Sequence, residues 1–305
     1  MGGIFSSLGD AIRLLVMRLT GRLRPPIHPP WHLPVISTPL RAEGWDVTEE
    51  DGLHDQHYPY TGVALLNTFY FLMTRGRTVS STLDHHLQQL LFLLDFGPDT
   101  LHLGFHDEPD NDTFRYVIAH HAIDGEDIRI GEYGLDIGVG TYTVQLTDRP
   151  AGDWIFVLRG LQLSFRGVDH HINEIGVRET NGSLRITYTD RNADDTYVFT
   201  VQYAWVPAAL FGSLGSSSGT SKEWDTDTIP SGRVVLRGFH FDFRPIYTAG
   251  GDHHIKEVGV LGLDGRIDVV YSDKNGDDGF DWLVNWGLLS EGLPEPVVEG
   301  RDVNG

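Results

Sequence analysis

From about residue 41 to residue 290, apolar and polar positions alternate with a period of two. Leu184, Ile186 and Tyr188 alternate with Arg185, Thr187 and Thr189, and Ile267, Val269 and Tyr271 follow the same spacing. Tyr197, Phe199, Val201, Tyr203 and Trp205 form a longer series, matched by Phe280, Trp282, Val284, Trp286 and Leu288 and by Phe114, Tyr116 and Ile118. A period of two sends successive side chains to opposite faces, so each series predicts a strand with one buried face. Their β-branched and aromatic content agrees. Residues 2–24 read differently. Ile4, Phe5, Leu8, Ala11, Ile12, Leu15, Val16, Leu19 and Leu23 recur at helical spacing, and Arg18, Arg22 and Arg24 crowd the end. This predicts an amphipathic helix whose basic end suits its dipole. The run from Pro25 to Pro34 cannot continue that helix and predicts an extended arm.

The strand patterns recur. Asp169-His170-His171-Ile172-Asn173-Glu174 returns 83 residues later as Asp252-His253-His254-Ile255-Lys256-Glu257. The acidic hexad starting at Asp190 returns at Asp273 with the same shift of 83, and a diverged copy carries Asp84-His85-His86-Leu87 and a hexad starting at Asp107. Each copy opens on an apolar strand, at Phe69-Tyr70-Phe71, Leu161-Gln162-Leu163 and Phe239-His240-Phe241. A fixed period of this size is the mark of a repeat architecture.

The expected fold is therefore all-β: three tandem antiparallel β-sandwich-like repeats preceded by an N-terminal amphipathic helix and a Pro-rich arm. The boundaries run 1–24 helix, 25–58 arm, 59–122 diverged repeat, 123–149 strand-like linker, 150–207 second repeat, 208–229 Gly/Ser linker, 230–290 third repeat and 291–305 acidic tail. Each acidic hexad is expected to join two strands of one hairpin. The Gly/Ser stretch around Gly215 and Gly219 is expected to be a flexible loop.

Composition narrows the function. The net charge is −20, opposite in sign to what phosphate neutralisation requires, so nucleic acid is not an expected partner. With no cysteine, disulfides, thiolate metal sites and a Cys nucleophile are excluded. No apolar run reaches the roughly 18 residues that span a bilayer. Basic residues follow the first apolar run, contrary to a signal peptide. A cytoplasmic or particle-associated protein is the expectation.

Two patterns could carry chemistry. The hexads place Asp107, Asp110 and Asp112, then Asp190, Asn192, Asp194 and Asp195, then Asp273, Asn275, Asp277 and Asp278 in tight turns. Hard cations take six to eight oxygens from such loops, so these are candidate calcium ligands. The other reading is a solvated turn in which Asp and Asn cap backbone amides. In the Asp-His-His triplets adjacent rings face opposite ways, and His170 and Glu174 lie about 13 Å apart along a strand, too far to share one ion. One packed and one exposed ring at a strand start is the expectation, with a transition-metal site or a pH-sensitive pair as alternatives. Gly215-Ser216-Ser217-Ser218-Gly219 matches G-x-S-x-G but lacks the strand-turn-helix setting of a nucleophile elbow. No catalytic constellation stands out, and the expectation is a protein that is not an enzyme.

The unit runs from an apolar strand through the Asp-His-His turn to an alternating strand ending in Tyr, an acidic hexad and an aromatic strand such as Gly279-Phe280-Asp281-Trp282-Leu283-Val284. It resembles the small six-stranded sandwich of H-type lectin modules, which occur in agglutinins and in phage tail or fibre proteins. That resemblance implies a β-sandwich and glycan binding. No position of this chain is matched to that family's sugar contacts.

Taken together, these features predict a non-enzymatic assembly subunit of a larger particle (virion, tail, shell or filament), forming homo-oligomers or docking partner subunits through the first helix. The alternatives are a lectin-like protein that binds carbohydrate or a cell surface, aided by calcium, and a peripheral protein held on a membrane surface by residues 2–24.

Overall fold

The structure is a computed structural model that describes residues 40–48, 54–60, 62–75, 78–79, 87–95, 99–106, 113–123, 127–165, 171–190, 196–243, 254–273 and 279–291. The expected N-terminal helix, most of the arm and nearly all of the acidic tail lie outside them. The described residues are almost entirely antiparallel β-strand, with one 3-10 turn at Ala208–Leu210. No helix among them is long and apolar enough to cross a membrane.

The period-two segments form the expected strands, and their pairing follows one scheme three times. In the first segment β3 (Val63–Arg75) pairs with β7 (Thr113–Ile123), and β5 (Gln89–Leu94) with β6 (Asp99–His106). The short β4 (Thr78–Val79) folds back on β3. In the second, β9 (Trp154–Phe165) pairs with β12 (Thr196–Pro207), and β10 (Ile172–Thr180) with β11 (Ser183–Asp190). In the third, β15 (Arg233–Phe243) pairs with β18 (Phe280–Leu289), and β16 (Ile255–Leu263) with β17 (Arg266–Asp273). Flanking strands extend each set: β1 (Leu40–Thr48) on β7, β2 (His54–Tyr58) on β6, β13 (Phe211–Ser221) on β18, and β14 (Trp224–Thr228) on β17. In the middle segment one long strand, β8 (Arg129–Gln145), does both tasks, lying on β12 up to Val139 and on β11 from Gly140. Gly140 has φ of +57°, a left-handed backbone that glycine adopts freely, and this marks where the strand changes partner.

The segments join by strand pairing in a cycle. β5 pairs with β9, β10 with β15, and β16 back with β3. Eleven strands thereby form one sheet and seven the other. The inward faces share one large apolar core, in which Phe69 stacks on Phe92 at 5.1 Å and meets Phe239 of the third segment at 4.7 Å. Each opening strand carries a β-bulge at the corresponding place, at Asn67, Arg159 and Arg237. A bulge kinks the strand and re-aims one side chain. Asn67 Nδ2 donates to Val234 O at 2.8 Å and Gly262 O at 2.9 Å, and Arg159 Nε donates to Ala64 O at 3.0 Å. These buried bonds tie neighbouring segments together.

Two expectations need correction. The hexads do not join hairpin partners: β6 and β7, β11 and β12, and β17 and β18 are not paired with each other. Alternation reports which face is buried but not which strand lies alongside, so it could not distinguish a hairpin from a crossing to another part of the fold. The Gly/Ser stretch is also no loop, since Phe211–Ser221 is a regular strand. Gly215 lies flat against the Trp286 ring, and a Cβ on Gly219 would sit 2.7 Å from Trp282 Nε1. Small residues are needed there because two indoles occupy the space side chains would fill.

Candidate functional site

Most of the candidate calcium ligands (Asp107, Asp110, Asp112, Asn192, Asp194, Asp195, Asn275, Asp277 and Asp278) lie outside the described residues. Asp190 and Asp273 are described. They end β11 and β17 opposite Ile172 and Ile255, and they are 2% and 1% exposed, so the first residue of these two hexads is buried. Of the three Asp-His-His triplets, only His171 and His254 are described. Both are buried, and their rings meet edge to face at 4.7 Å across the junction of the second and third segments. Among the described residues no group of three His, Asp or Glu converges closely enough to hold a metal ion.

A different set of residues does converge. The outer face of β10, β15, β18 and β13 carries an open cleft of about 510 Å3 lined by Arg178, His240, Asp242, Asp281 and Leu283, with Ser218 and Thr220 on its rim. Register explains the arrangement. Glu174 lies opposite Asp242, and Asp242 opposite Asp281, so three carboxylates form a row across three strands. Directly opposed side chains sit about 5 Å apart at Cβ. Two residues along, Gly176 lies opposite His240, and two further, Arg178 lies opposite Gly238 and Arg185. At about 3.4 Å per residue the backbone positions of the acidic and arginine rows are about 14 Å apart, with His240 and Gly176 between.

The electrostatics follow from this crowding. Burial, then Glu174 and Asp281, push the Asp242 carboxyl up to about 6. Burial, then Arg178 and Arg185, push the His240 imidazole down to about 4. His240 is therefore neutral near pH 7, and its buried Nε2 has no hydrogen-bond partner. Thr220 Oγ1 donates to Asp281 Oδ1 at 2.7 Å and orients that carboxylate. Glu174, Arg178, Arg185 and Asp242 make no hydrogen bond or ion pair with the other described residues.

The two corresponding junctions have gone other ways. Between the third and first segments the row reads Glu257, Leu72 and Arg115. Tyr70, in the place of His240, donates to Glu257 Oε1 at 2.5 Å, Ser272 Oγ lies 3.5 Å from Oε2, and the set is buried. Between the first and second segments the row reads Gln89, Ser164 and Val198 and carries no charge. Similar backbones thus hold one closed network, one neutral surface and one charged cleft.

Arg178, His240, Asp242 and Asp281 were not singled out by the sequence reading. A signal existed, because the polar faces of the three opening strands differ: Tyr70 and Leu72, Gln162 and Ser164, His240 and Asp242. What alternation could not supply was the pairing of β15 with β10, which brings Glu174 and Arg178 alongside. No family model matches the chain, and no curated protein matches it either.

Proposed function

We propose that this chain is a non-enzymatic binding protein, built from three copies of one β unit, that holds a hydroxyl-rich ligand of the carbohydrate class in the cleft between its second and third segments. One observation carries the reading: of three corresponding junctions, this one holds Glu174, Arg178 and Asp242 half-buried with no hydrogen bond or ion pair to other described residues, beside a His240 whose buried Nε2 has no hydrogen-bond partner among them. Half-buried polar groups are costly unless they are hydrogen-bonded. A carboxylate only accepts and a guanidinium only donates. Hydroxyls do both, so a polyol serves both rows of the cleft at once. The resemblance to H-type lectin modules points the same way. The expectation of a particle subunit rests on the repeats, on the N-terminal segment and arm, most of which lie outside the described residues, and on the absence of cysteine and of a catalytic constellation in the sequence. Here β16 pairs back on β3, so the registers between segments are used within one chain, which favours a discrete binding protein.

Screening the full chain on a glycan array, followed by calorimetric titration of the best ligand, tests this. Wild type should bind, and Arg178→Ala should weaken binding by about tenfold or more with an unchanged melting midpoint. Absence of binding, or equal binding by Arg178→Ala, would overturn the reading. Cleavage of the bound glycan would overturn its non-enzymatic part.

A further inference from the structure

The short β4 aside, the two sheets end on four strands, β1 and β14 in one and β13 and β2 in the other. A strand at the end of a sheet presents a row of unpaired N–H and C=O groups, and proteins blunt such edges by shortening, charging or bulging them. Three of the four ends are treated that way. β2 and β14 have five residues each, with Asp55 and His57 on one and Asp225 and Asp227 on the other. β1 carries Arg41 and Glu43 and a bulge between Gly44 and Val47.

β13 has none of these devices. It runs for eleven residues without a charge or a proline, and pairs with β18 without interruption from Ser213 to Ser221. From Phe211 to Gly219 its backbone makes no hydrogen bond on the side away from β18. Gly212, Leu214, Ser216 and Ser218 are exposed, and Leu214 is one of three exposed large apolar side chains among the described residues. On the face turned towards Trp282 and Trp286, Ser213, Gly215 and Gly219 also stay partly exposed, so the edge is open rather than tucked under another element. β18 holds it in place, with Trp286 Nε1 donating to Ser217 Oγ at 3.0 Å. A strand already held extended loses little freedom on pairing.

Such an edge accepts another extended strand. The charge pattern selects which one. The chain carries a net charge of −20, so two copies repel except where acid is missing. A strand paired with itself about a two-fold axis meets only residues of its own short run. Self-pairing of β14 would set aspartate against aspartate, which is destabilising. β13 sets serine and glycine against serine and glycine, with hydroxyls that both donate and accept.

We propose that β13 is a dimerisation edge: a second copy of the chain adds its own β13 antiparallel, centred near Ser216, and joins the two eleven-stranded sheets into one. The two-fold axis then stands perpendicular to the sheet and keeps both outer faces on one side. Ser218 of this strand rims the cleft described above, so the two clefts of the dimer open in the same direction. The dimer needs no ligand and stands apart from the carbohydrate reading.

Sedimentation velocity on the full chain across a dilution series tests the proposal. Wild type should sediment as a dimer that dissociates on dilution. Leu214→Lys combined with Ser216→Lys charges both facing strands alike. It should raise the dissociation constant about tenfold or more, with an unchanged circular dichroism spectrum. The chain has no cysteine, so Ser216→Cys introduces a single thiol, which a short bismaleimide should link into covalent dimers. Thr143→Cys, exposed on the interior strand β8, should not be linked. A monomeric wild type, or a dimer that keeps its affinity in the lysine variant, would overturn the proposal. Should the lysine variant not fold, the cross-link decides, and linking through Ser216→Cys no greater than through Thr143→Cys overturns it.

Discussion

His120 is fully buried, and its partners fix its tautomer. Nε2–H donates to Arg159 O at 2.8 Å, so Nδ1 accepts from Tyr58 Oη at 3.0 Å. Burial pushes its pKa down to about 3 from an ordinary 6.5, and that of His121 down to about 4. The unfolded chain therefore takes up these protons first, and stability is lost as pH falls from about 6.5 towards 3. Asp242 has the opposite sign. Its pKa is raised from 3.8 to about 6, so its charged form is a burden above that range and the burden lifts on acidification. Thermal melts across this window should show a falling midpoint for wild type. His120→Gln should start lower at neutral pH, by about 1–3 kcal/mol for the strained partners, and decline less steeply. An unchanged slope would show that His120 does not carry the acid sensitivity. At this scale the sequence was informative about faces: alternation alone puts Phe239 and Phe241 inward and His240 and Asp242 outward. It was silent on company, because the residues opposite Asp242 come from positions 174 and 281.

Among the elements, the joints between segments are the tightest places. Gly176 lies where β10 meets β15, and a Cβ there would come 2.8 Å from both Phe239 O and His240 Cδ2. Backbone cannot step aside as a flexible side chain does, so Gly176→Ala should cost about 1–3 kcal/mol in chemical denaturation. Gly212→Ala is the matched control, since its nearest neighbours stand 4.0 Å away and its cost should be within about 0.5 kcal/mol. Equal costs at the two positions would remove the close-approach argument. The same physics explains why the sequence of β13 predicts a loop where the structure has a strand. A strand of Gly and Ser has neither alternation nor β-propensity, and Phe211–Ser221 is extended because Trp282 and Trp286, some 70 residues away, cover it. β8 was legible, by contrast, because Tyr142 and Val144 carry the pattern themselves.

For the molecule, the closing pair β16–β3 matters most, since it joins the end of the described chain to its beginning. Ending the chain after Pro207 removes β13 to β18 and leaves β3 and β10 each with an unpaired edge and an uncovered apolar face. Exposed edges of this kind invite aggregation. The full chain should melt in one cooperative transition by circular dichroism, and the truncated chain should show no cooperative melt and elute as aggregate. A well-folded truncated monomer would mean that the segments are independent sandwiches, as their tandem order in sequence suggested. The all-β class was legible because each strand announces its own face. The cycle was not, because it depends on pairings between residues nearly 190 positions apart, such as Tyr70 with Gly259.

The divergence of the three junctions has a consequence for valency. A ring of three alike junctions meets a decorated surface with three contacts and gains avidity from their shared tether. On the proposed reading, the described residues offer one open junction, so each chain would grip such a surface once, at the strength of a single site. Firm attachment or bridging between two surfaces would then require several chains held together by contacts outside the cleft.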